Sequence, residues 1–258
     1  MAPIPLDELE KAAAAARASG IDGDARAILR WARDLLGDGL MMSTSFQKGG
    51  MVLLHMVREL MPDLPIYFLD TGFHFQETLD FAEKIRREWG LNILSRTGKL
   101  HGEDFKAKYG NLYETDPNLC CHLNKVEPNN ELLTEYQGWI TAIRRDQAST
   151  RAQAETLEVL EGGKLKVQPL AHWTRDRIHA YLEERRLPVH PLYERGYASI
   201  GCGPCTQPSG DSSNERAGRW GGKKVECGLH TFWKKRGGIP TVGGTPPGAA
   251  PEPPPATG

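Results

Sequence analysis

Four short apolar runs constrain this chain more than any other feature, because helical text separates them. They are GLMMSTS ending at Ser45, LPIYFLD ending at Asp70, LNILS ending at Ser95 and GWITAI around Trp139. LPIYFLD is dense in aromatic and branched residues, which suits a strand covered on both faces. After the first run glycines interrupt, and MVLLHMVREL then reads as a buried helix. After the second, Phe75, Leu79, Ala82, Ile85 and Trp89 recur at helical spacing through FQETLDFAEKIRREWG, which stops at Gly90. Alternating strand and helix predict an α/β fold, with a mainly parallel sheet flanked by helices. Two helices precede the alternation, from Leu6 to about Leu36, broken at Ser19-Gly20. Their alanine run is helical text, since alanine is the best helix former. Thr174 is placed to cap TRDRIHAYLEERR, whose Ile178, Tyr181 and Leu182 form the expected buried stripe.

In such sheets ligands sit beyond the carboxyl ends of the strands. That rule draws the edges of one candidate cleft at Ser43-Thr44-Ser45, at Asp70-Thr71-Gly72 and at the residues after Ile143. Charge narrows what the cleft serves. With a formal net charge of −1 and 25% charged residues, the chain lacks the basic excess of a general nucleic-acid binder. No apolar run approaches the roughly 18–20 residues that cross a bilayer, so no membrane partner is expected. The opening MAPIPLDELEK is acidic and unlike a secretory signal. The expected compartment is cytoplasmic, where thiols stay reduced.

Ser43-Thr44-Ser45-Phe46-Gln47-Lys48-Gly49-Gly50 lies between a strand and a helix. Backbone N–H groups, hydroxyls and a helix N-terminus together make an anion site there. The bland alternative is a tight turn. The text lacks the Gly-Lys-Ser/Thr ending of a Walker loop. It resembles instead the PP-loop of the adenine-nucleotide hydrolase superfamily, Ser-Gly-Gly-X-Asp-Ser, without the aspartate. That departure favours a ligand whose anhydride is already made. Thr141–Arg151 ends a strand with Arg144, Arg145 and Arg151, beside Gln147, and guanidinium forks suit phosphate and sulfate oxygens. A solvated basic turn is the plain alternative, and position at the cleft favours binding.

Five cysteines form two tight pairs and one single. Cys120-Cys121 and Cys202-Gly-Pro-Cys205 offer four thiolates, and Cys227 stands alone. Four thiolates suit zinc or an iron–sulfur cluster. Zinc ligands are normally two to four residues apart, so the adjacent pair favours iron–sulfur. Cys227 is then the one thiol left for chemistry.

The run of STSFQKGG, LDTGFHF, CCHLNKVEP, ITAIRRDQASTR, GYASIGCGPCT, ERAGRW and KKVECGLH resembles the assimilatory adenylyl-sulfate reductase family, in order, from about residue 40 to 233. Reductases of phosphoadenylyl sulfate are similar in the nucleotide region and share Glu-Cys-Gly-Leu-His, but typically lack the cysteine pairs. The resemblance implies a [4Fe–4S] cluster on Cys120, Cys121, Cys202 and Cys205, with adenylyl sulfate as substrate in assimilatory sulfate reduction. It implies Cys227 as nucleophile, a thiosulfonate intermediate, and thioredoxin or a similar dithiol as reductant. Substrate contacts are expected from Ser43, Thr44, Ser45, Lys48, Gly49, Asp70, Thr71, Gly72, Arg144, Arg145, Gln147 and Arg151. The family adds Lys125, Arg216 and Arg219, while His230, with Lys223 and Lys224, is expected to favour the thiolate. An α/β nucleotide-binding domain with the iron–sulfur site is expected over 1–205. A mobile segment carrying Cys227 is expected over 206–236, and a disordered Pro/Gly-rich tail over 237–258. Self-association as a homo-oligomer stays open. The alternatives are a phosphoadenylyl-sulfate reductase or dual-specificity enzyme, a PP-loop tRNA thiolase, and a zinc-stabilised binding module.

Overall fold

The computed structural model describes residues 2–209 and 214–230. Helices α1 (Leu6–Ala18) and α2 (Ala25–Leu36) lead into strand β1 (Leu40–Thr44). Then come α3 (Lys48–Leu60), β2 (Ile66–Leu69), α4 (Gln76–Trp89) and β3 (Ile93–Arg96). A helical stretch follows, with α5 (Gly102–Tyr109), α6 (Leu112–Thr115), α7 (Pro117–Cys121), a π-helical turn at His122–Val126 and α8 (Glu127–Glu135). Strand β4 (Gly138–Ile140), the hairpin of β5 (Leu157–Leu160) and β6 (Lys164–Val167), and α9 (Arg175–Glu184) complete the regular elements.

The sheet order is β3-β2-β1-β4-β6-β5. Every neighbouring pair is parallel except β5 against β6. The expected α/β class is therefore the observed one. Parallel strands need cover on both faces, and alternation along β1 supplies it. Leu40 and Met42 face a core built with α1–α4 and α9, while Met41 faces Trp139, Leu132 and Leu133 on the other side. Asp24 caps α2 by accepting from the N–H groups of Arg26 and Ala27 at 2.9 and 3.1 Å. Thr174 caps α9 as expected, accepting from Arg177 N–H at 3.2 Å.

Three details differ from the sequence reading. The buried face of α4 is Thr78, Phe81, Ala82 and Ile85, while Leu79 and Trp89 pack partly buried at its edge. The ring of Tyr181 is half-buried, because its hydroxyl meets His55 Nδ1 at 3.0 Å. The β5–β6 hairpin turns at Gly162 and Gly163, whose φ of +81° and +70° suit glycine.

The segment expected to move, 206–236, is described only in part. Residues 214–230 fold back over the sheet's carboxyl edge, with Trp220 and Glu226 buried. The tail at 237–258 lies outside the described residues. No helix among the described residues is long and apolar enough to cross a membrane.

Candidate active site

The carboxyl ends of β1, β2 and β4 open into one cleft. Its walls include Ser43, Thr44 and Ser45 at the end of β1, Gly49 and Gly50 in the first turn of α3, Leu69 at the end of β2, and Thr141–Ile143 after β4. Phe46 turns the loop into α3 with φ at +55°, a left-handed conformation for a non-glycine residue. Such backbone costs about 1–3 kcal/mol. Burial of the ring at 5.4 Å from Phe68 and 6.4 Å from Phe81 holds it there. Thr44 Oγ1 accepts from Phe46 N–H at 3.2 Å, and a side chain at Gly50 would crowd that hydroxyl at 3.0 Å. Ser43 Oγ accepts from the Trp139 indole N–H at 2.7 Å, leaving its own proton for a ligand.

The far wall of the cleft is cationic and carries the single cysteine. Lys125, Arg151, Arg216, Arg219, Cys227 and His230 all line it. Arg219 is buried; its guanidinium donates to Ser199 Oγ at 3.2 Å and lies 4.4 Å from the Trp220 ring. Glu226, next to Cys227, accepts a two-pronged bond from Arg151 at 2.7 and 2.8 Å, with Thr150 Oγ1 at 3.0 Å. Arg216 reaches the same carboxylate at 3.4 Å and Val225 O at 3.0 Å. Burial opposes the Glu226 charge, but Arg151, Arg216 and Thr150 outweigh it and hold its pKa below the usual range. Burial, with Arg151 and Arg219 alongside, pulls Arg216 down to about 10. The structure thus gathers cations at this wall, with Glu226 clasped by two of them and Glu215 lining the same cleft.

A second, smaller cavity adjoins the first. Cys120, Cys121, Cys202 and Cys205 line it, with Thr71, Asn124 and Trp220, and Lys125 borders both spaces. Asp116 starts α7 by accepting from the N–H groups of Asn118 and Leu119, each at 3.0 Å, and this turn presents Cys120 and Cys121. The other pair arrives on a loop pinned to the turn after β2, through Gly203 N–H to Phe73 O at 2.7 Å and a bridge of His74 with Cys202. Burial pushes the thiol of Cys120 up to about 12 and that of Cys205 up to about 11, with neighbouring thiolates adding to both. Burial raises Cys121 as well. For Cys202 burial pulls the same way, yet Lys125, the Thr71 hydroxyl at 3.2 Å and Arg219 outweigh it and lower its pKa. Burial opposes the charge of Lys125, and the surrounding thiolates overcome it. Four thiols around one space, three of them with ionisation opposed by burial and by neighbouring thiolates, form a donor set that a positively charged inorganic group would satisfy. Among the described residues no three His, Cys, Asp or Glu side chains close on a single ion; the four thiols surround a common space instead.

Several expected contacts fall elsewhere. Lys48 leaves the cleft and meets His179 Nε2 at 3.0 Å in a neighbouring cavity. Arg144 is 3% exposed and paired with Asp146 at 2.8 Å and Glu215 at 3.0 Å, facing that same cavity. Arg145 donates to Ala154 O at 2.7 Å. Arg144 and Arg145 follow the end of β4, but their guanidiniums are already engaged. Asp70 accepts from Gly72 N–H and faces His101 at 3.3 Å, while Thr71 serves the cysteine cavity. Gly72 has φ of +73°, and a Cβ there would lie 2.5 Å from Gly102 N, so this triplet is a turn packed against the α5 entry. His230 lines the cleft in a different setting from a charged partner of the thiolate. It stacks on Trp139 at 5.3 Å and 11°, and burial lowers its pKa well below the usual value. A neutral ring cannot stabilise a thiolate by charge. Lys223 and Lys224 donate to the carbonyls of Glu114 and Pro117, at 3.2 and 2.9 Å, tying the segment to the cysteine helix.

Sequence reasoning missed Gln47, Trp139, Ser199 and Glu226. Gln47 accepts from Ser199 Oγ and Ile200 N–H at 3.2 and 3.1 Å, joining the loop to the cysteine-bearing segment. Only the adjacency of Glu226 to Cys227 hinted at any of these.

Comparison with known proteins gives this geometry a setting. A family model described as the phosphoadenosine phosphosulfate reductase domain matches residues 39–208. An adenosine 5′-phosphosulfate reductase of Geobacillus kaustophilus is 42% identical over 79% of this chain and 88% of its own length. One from Bacillus subtilis is 41% identical over 80% and 90%. Among solved structures, a phosphoadenylyl-sulfate reductase from Candida auris in a phosphate complex superposes with a TM-score of 0.65 at 28% identity. It covers 73% of this chain and 95% of that one. An FMN adenylyltransferase of Candida glabrata, at 18% identity and a TM-score of 0.57 over 76% of this chain and 67% of that one, shares the fold.

Proposed function

The chain belongs to the phosphoadenosine phosphosulfate reductase family, and from that premise we propose that it reduces adenylyl sulfate to sulfite and AMP, with Cys227 as nucleophile. One observation carries the reading: the only cysteine outside the two pairs lines the nucleotide-type cleft beside Lys125, Arg151, Arg216 and Arg219. The loop into α3 offers hydroxyls and N–H groups to the nucleotide, and the arginine wall offers forks to the phosphosulfate.

The substrate sulfur is electrophilic and AMP is a competent leaving group. The Cys227 thiolate attacks sulfur, the bond from sulfur to the phosphate oxygen breaks, and AMP departs with the electron pair. The product is a thiosulfonate on Cys227. A thiolate of a reduced dithiol protein such as thioredoxin then attacks Cys227 Sγ and expels sulfite, giving a mixed disulfide. The second thiol of that partner closes its own disulfide and returns Cys227 as thiolate. Two electrons pass from the dithiol to the sulfonyl sulfur. Val225, 61% exposed, and the neighbouring Gly221, Gly222 and Lys223 leave this stretch of the segment open to such a partner.

Cys120, Cys121, Cys202 and Cys205 are the residues that would hold a [4Fe–4S] cluster. Bound there, it supplies a staple between α7 and the loop at 202–205 and a polarising charge beside Lys125. Lys125, shared by both cavities, is the residue placed to couple that charge to the substrate. The proposed compartment is the cytoplasm, where five free thiols persist.

The test is sulfite release from adenylyl sulfate and from phosphoadenylyl sulfate, with thioredoxin, on anaerobically purified protein. Preference for adenylyl sulfate supports the reading. Preference for the phosphorylated nucleotide keeps the Cys227 chemistry and reassigns the substrate. Release from neither removes the proposal.

A further inference from the structure

Strand register sets four side chains in one row across the sheet. Met41 is the partner of Trp139, Trp139 of Lys166, and Lys166 of Glu158, and residues directly opposite one another share a face. Ser43, two residues beyond Met41, points to the same side. Trp139 is 1% exposed, and its indole is engaged twice. Its N–H donates to Ser43 Oγ at 2.7 Å, at the mouth of the loop into α3. Across its face the His230 imidazole lies almost parallel, at 5.3 Å and 11°. Burial keeps that imidazole uncharged, so it packs as a plain aromatic ring. Lys166 completes the seat. Buried beside Glu158 at 3.7 Å, its ammonium reaches the His230 carbonyl at 3.5 Å. Leu229 packs on Met41, Leu132, Leu133 and Trp139. The two residues that follow Cys227-Gly228 are thus held by the sheet rather than by the arginine wall.

Ser43, Cys227, Leu229 and His230 line the cleft, and Trp139 stands behind them, touching both sides. We propose that Trp139 is a positioning residue for sulfonate transfer, holding the Ser43 hydroxyl by its N–H and the His230 ring by its face. This rests on the reading of the cleft as a nucleotide site and of Cys227 as nucleophile. Because Ser43 Oγ accepts from the indole, its own proton is directed to a ligand oxygen. His230 lies three residues from Cys227, so the stack limits where the sulfur can travel. One buried side chain therefore ties the place of the nucleotide to the place of its attacker. Misplacing reacting groups by about 1 Å costs on the order of 10²-fold in rate, whereas nucleotide affinity is shared with the loop N–H groups and the arginines.

The experiment compares Trp139→Phe, which keeps a ring but loses the N–H, with His230→Phe, which keeps the stack, and His230→Ala, which removes it. Each full-length, anaerobically purified protein is mixed with saturating adenylyl sulfate and no reductant. The rate of adduct formation on Cys227 is measured beside the equilibrium affinity for AMP. The expected result is adduct formation about tenfold or more slower in W139F and H230A, near the wild-type rate in H230F, and AMP affinity within about threefold throughout. Where W139F melts far below the wild type, the His230 pair decides, since that half-buried ring ends the docked segment. A wild-type rate in both W139F and H230A, AMP affinity falling in step with the rate, or H230F as slow as H230A overturns the proposal. Wild-type protein that forms no adduct removes the reading beneath it, and the proposal with it; a wild-type adduct with any of the three contrary results removes the positioning role alone.

Discussion

Cys227 differs from the other four cysteines in its surroundings more than in its chemistry. It is half-buried at an open cleft, whereas the others are buried around a closed one. A thiol that must meet first a nucleotide and then a protein needs that openness. Cys227→Ser is expected to abolish sulfite release while the protein still binds AMP, as equilibrium binding would show. His190 makes a prediction of another kind. It is fully buried; its Nδ1 accepts from Leu192 N–H at 3.3 Å and its Nε2 meets Thr78 Oγ1 at 2.9 Å. Burial lowers its pKa to about 4, and His74 is lowered to about 4 as well, by burial and Lys125. An unfolded histidine takes its proton near pH ~6.5. The folded state therefore keeps its full stability above about that pH and loses it as the pH falls towards about 4. The loss from His190 alone is at most about 3 kcal/mol. Melting temperatures between those limits should fall, and less steeply in His190→Asn. At this scale the sequence marked Cys227 and the paired cysteines because thiols are few and chemically distinct. Lys48 and Arg144 face the neighbouring cavity and Arg145 meets the Ala154 carbonyl, because a strand end fixes where a residue starts and local partners decide where a long side chain points.

Among the elements, the segment at 214–230 is held by a few buried contacts rather than by regular structure. The clasp of Glu226 on Arg151 and Arg216 occupies the guanidiniums expected to bind the phosphosulfate. Removing one partner of a buried charged pair costs about 3–5 kcal/mol. Glu226→Gln should leave two facing arginines under-compensated and expose the segment, read as faster proteolysis after Lys223 or Lys224; unchanged cleavage would mean that the clasp does not dock it. Gly201 tests positioning. A Cβ there would lie 2.1 Å from the Arg219 guanidinium, so Gly201→Ala should displace Arg219 and lower kcat/KM by roughly 10²-fold, with the melting temperature nearly kept. Strands and helices with a single clear period were legible, including the caps at Thr174 and Gly90. The β5–β6 hairpin was not recognised, although Gly162-Gly163 between LEVL and KLKV carried the signal. The helical stretch at 102–135 was opaque, since its short helices owe their form to the cysteine cavity and not to a long apolar stripe.

For the molecule as a whole, the two cysteine pairs bring α7 and the loop at 202–205, distant in sequence, around one cavity. A cluster held by Cys120, Cys121, Cys202 and Cys205 should therefore add to folding stability as well as to the site. Anaerobic protein with iron and sulfide is expected to melt higher than the same protein after chelation, and the loop at 199–206 to resist proteolysis better. Equal behaviour would speak against a cluster at these residues. The order of motifs along the chain revealed the family, whereas the convergence of two cavities on Lys125 needed the fold. The central claim is that Cys227 takes the sulfonate directly from the nucleotide, and the most direct test omits the reductant. The protein is mixed with adenylyl sulfate alone, and AMP and the mass of the Cys227 peptide are measured. The account predicts stoichiometric AMP and a sulfonate adduct confined to Cys227. Turnover to free sulfite in Cys227→Ser, or AMP release with no adduct on Cys227, would contradict it.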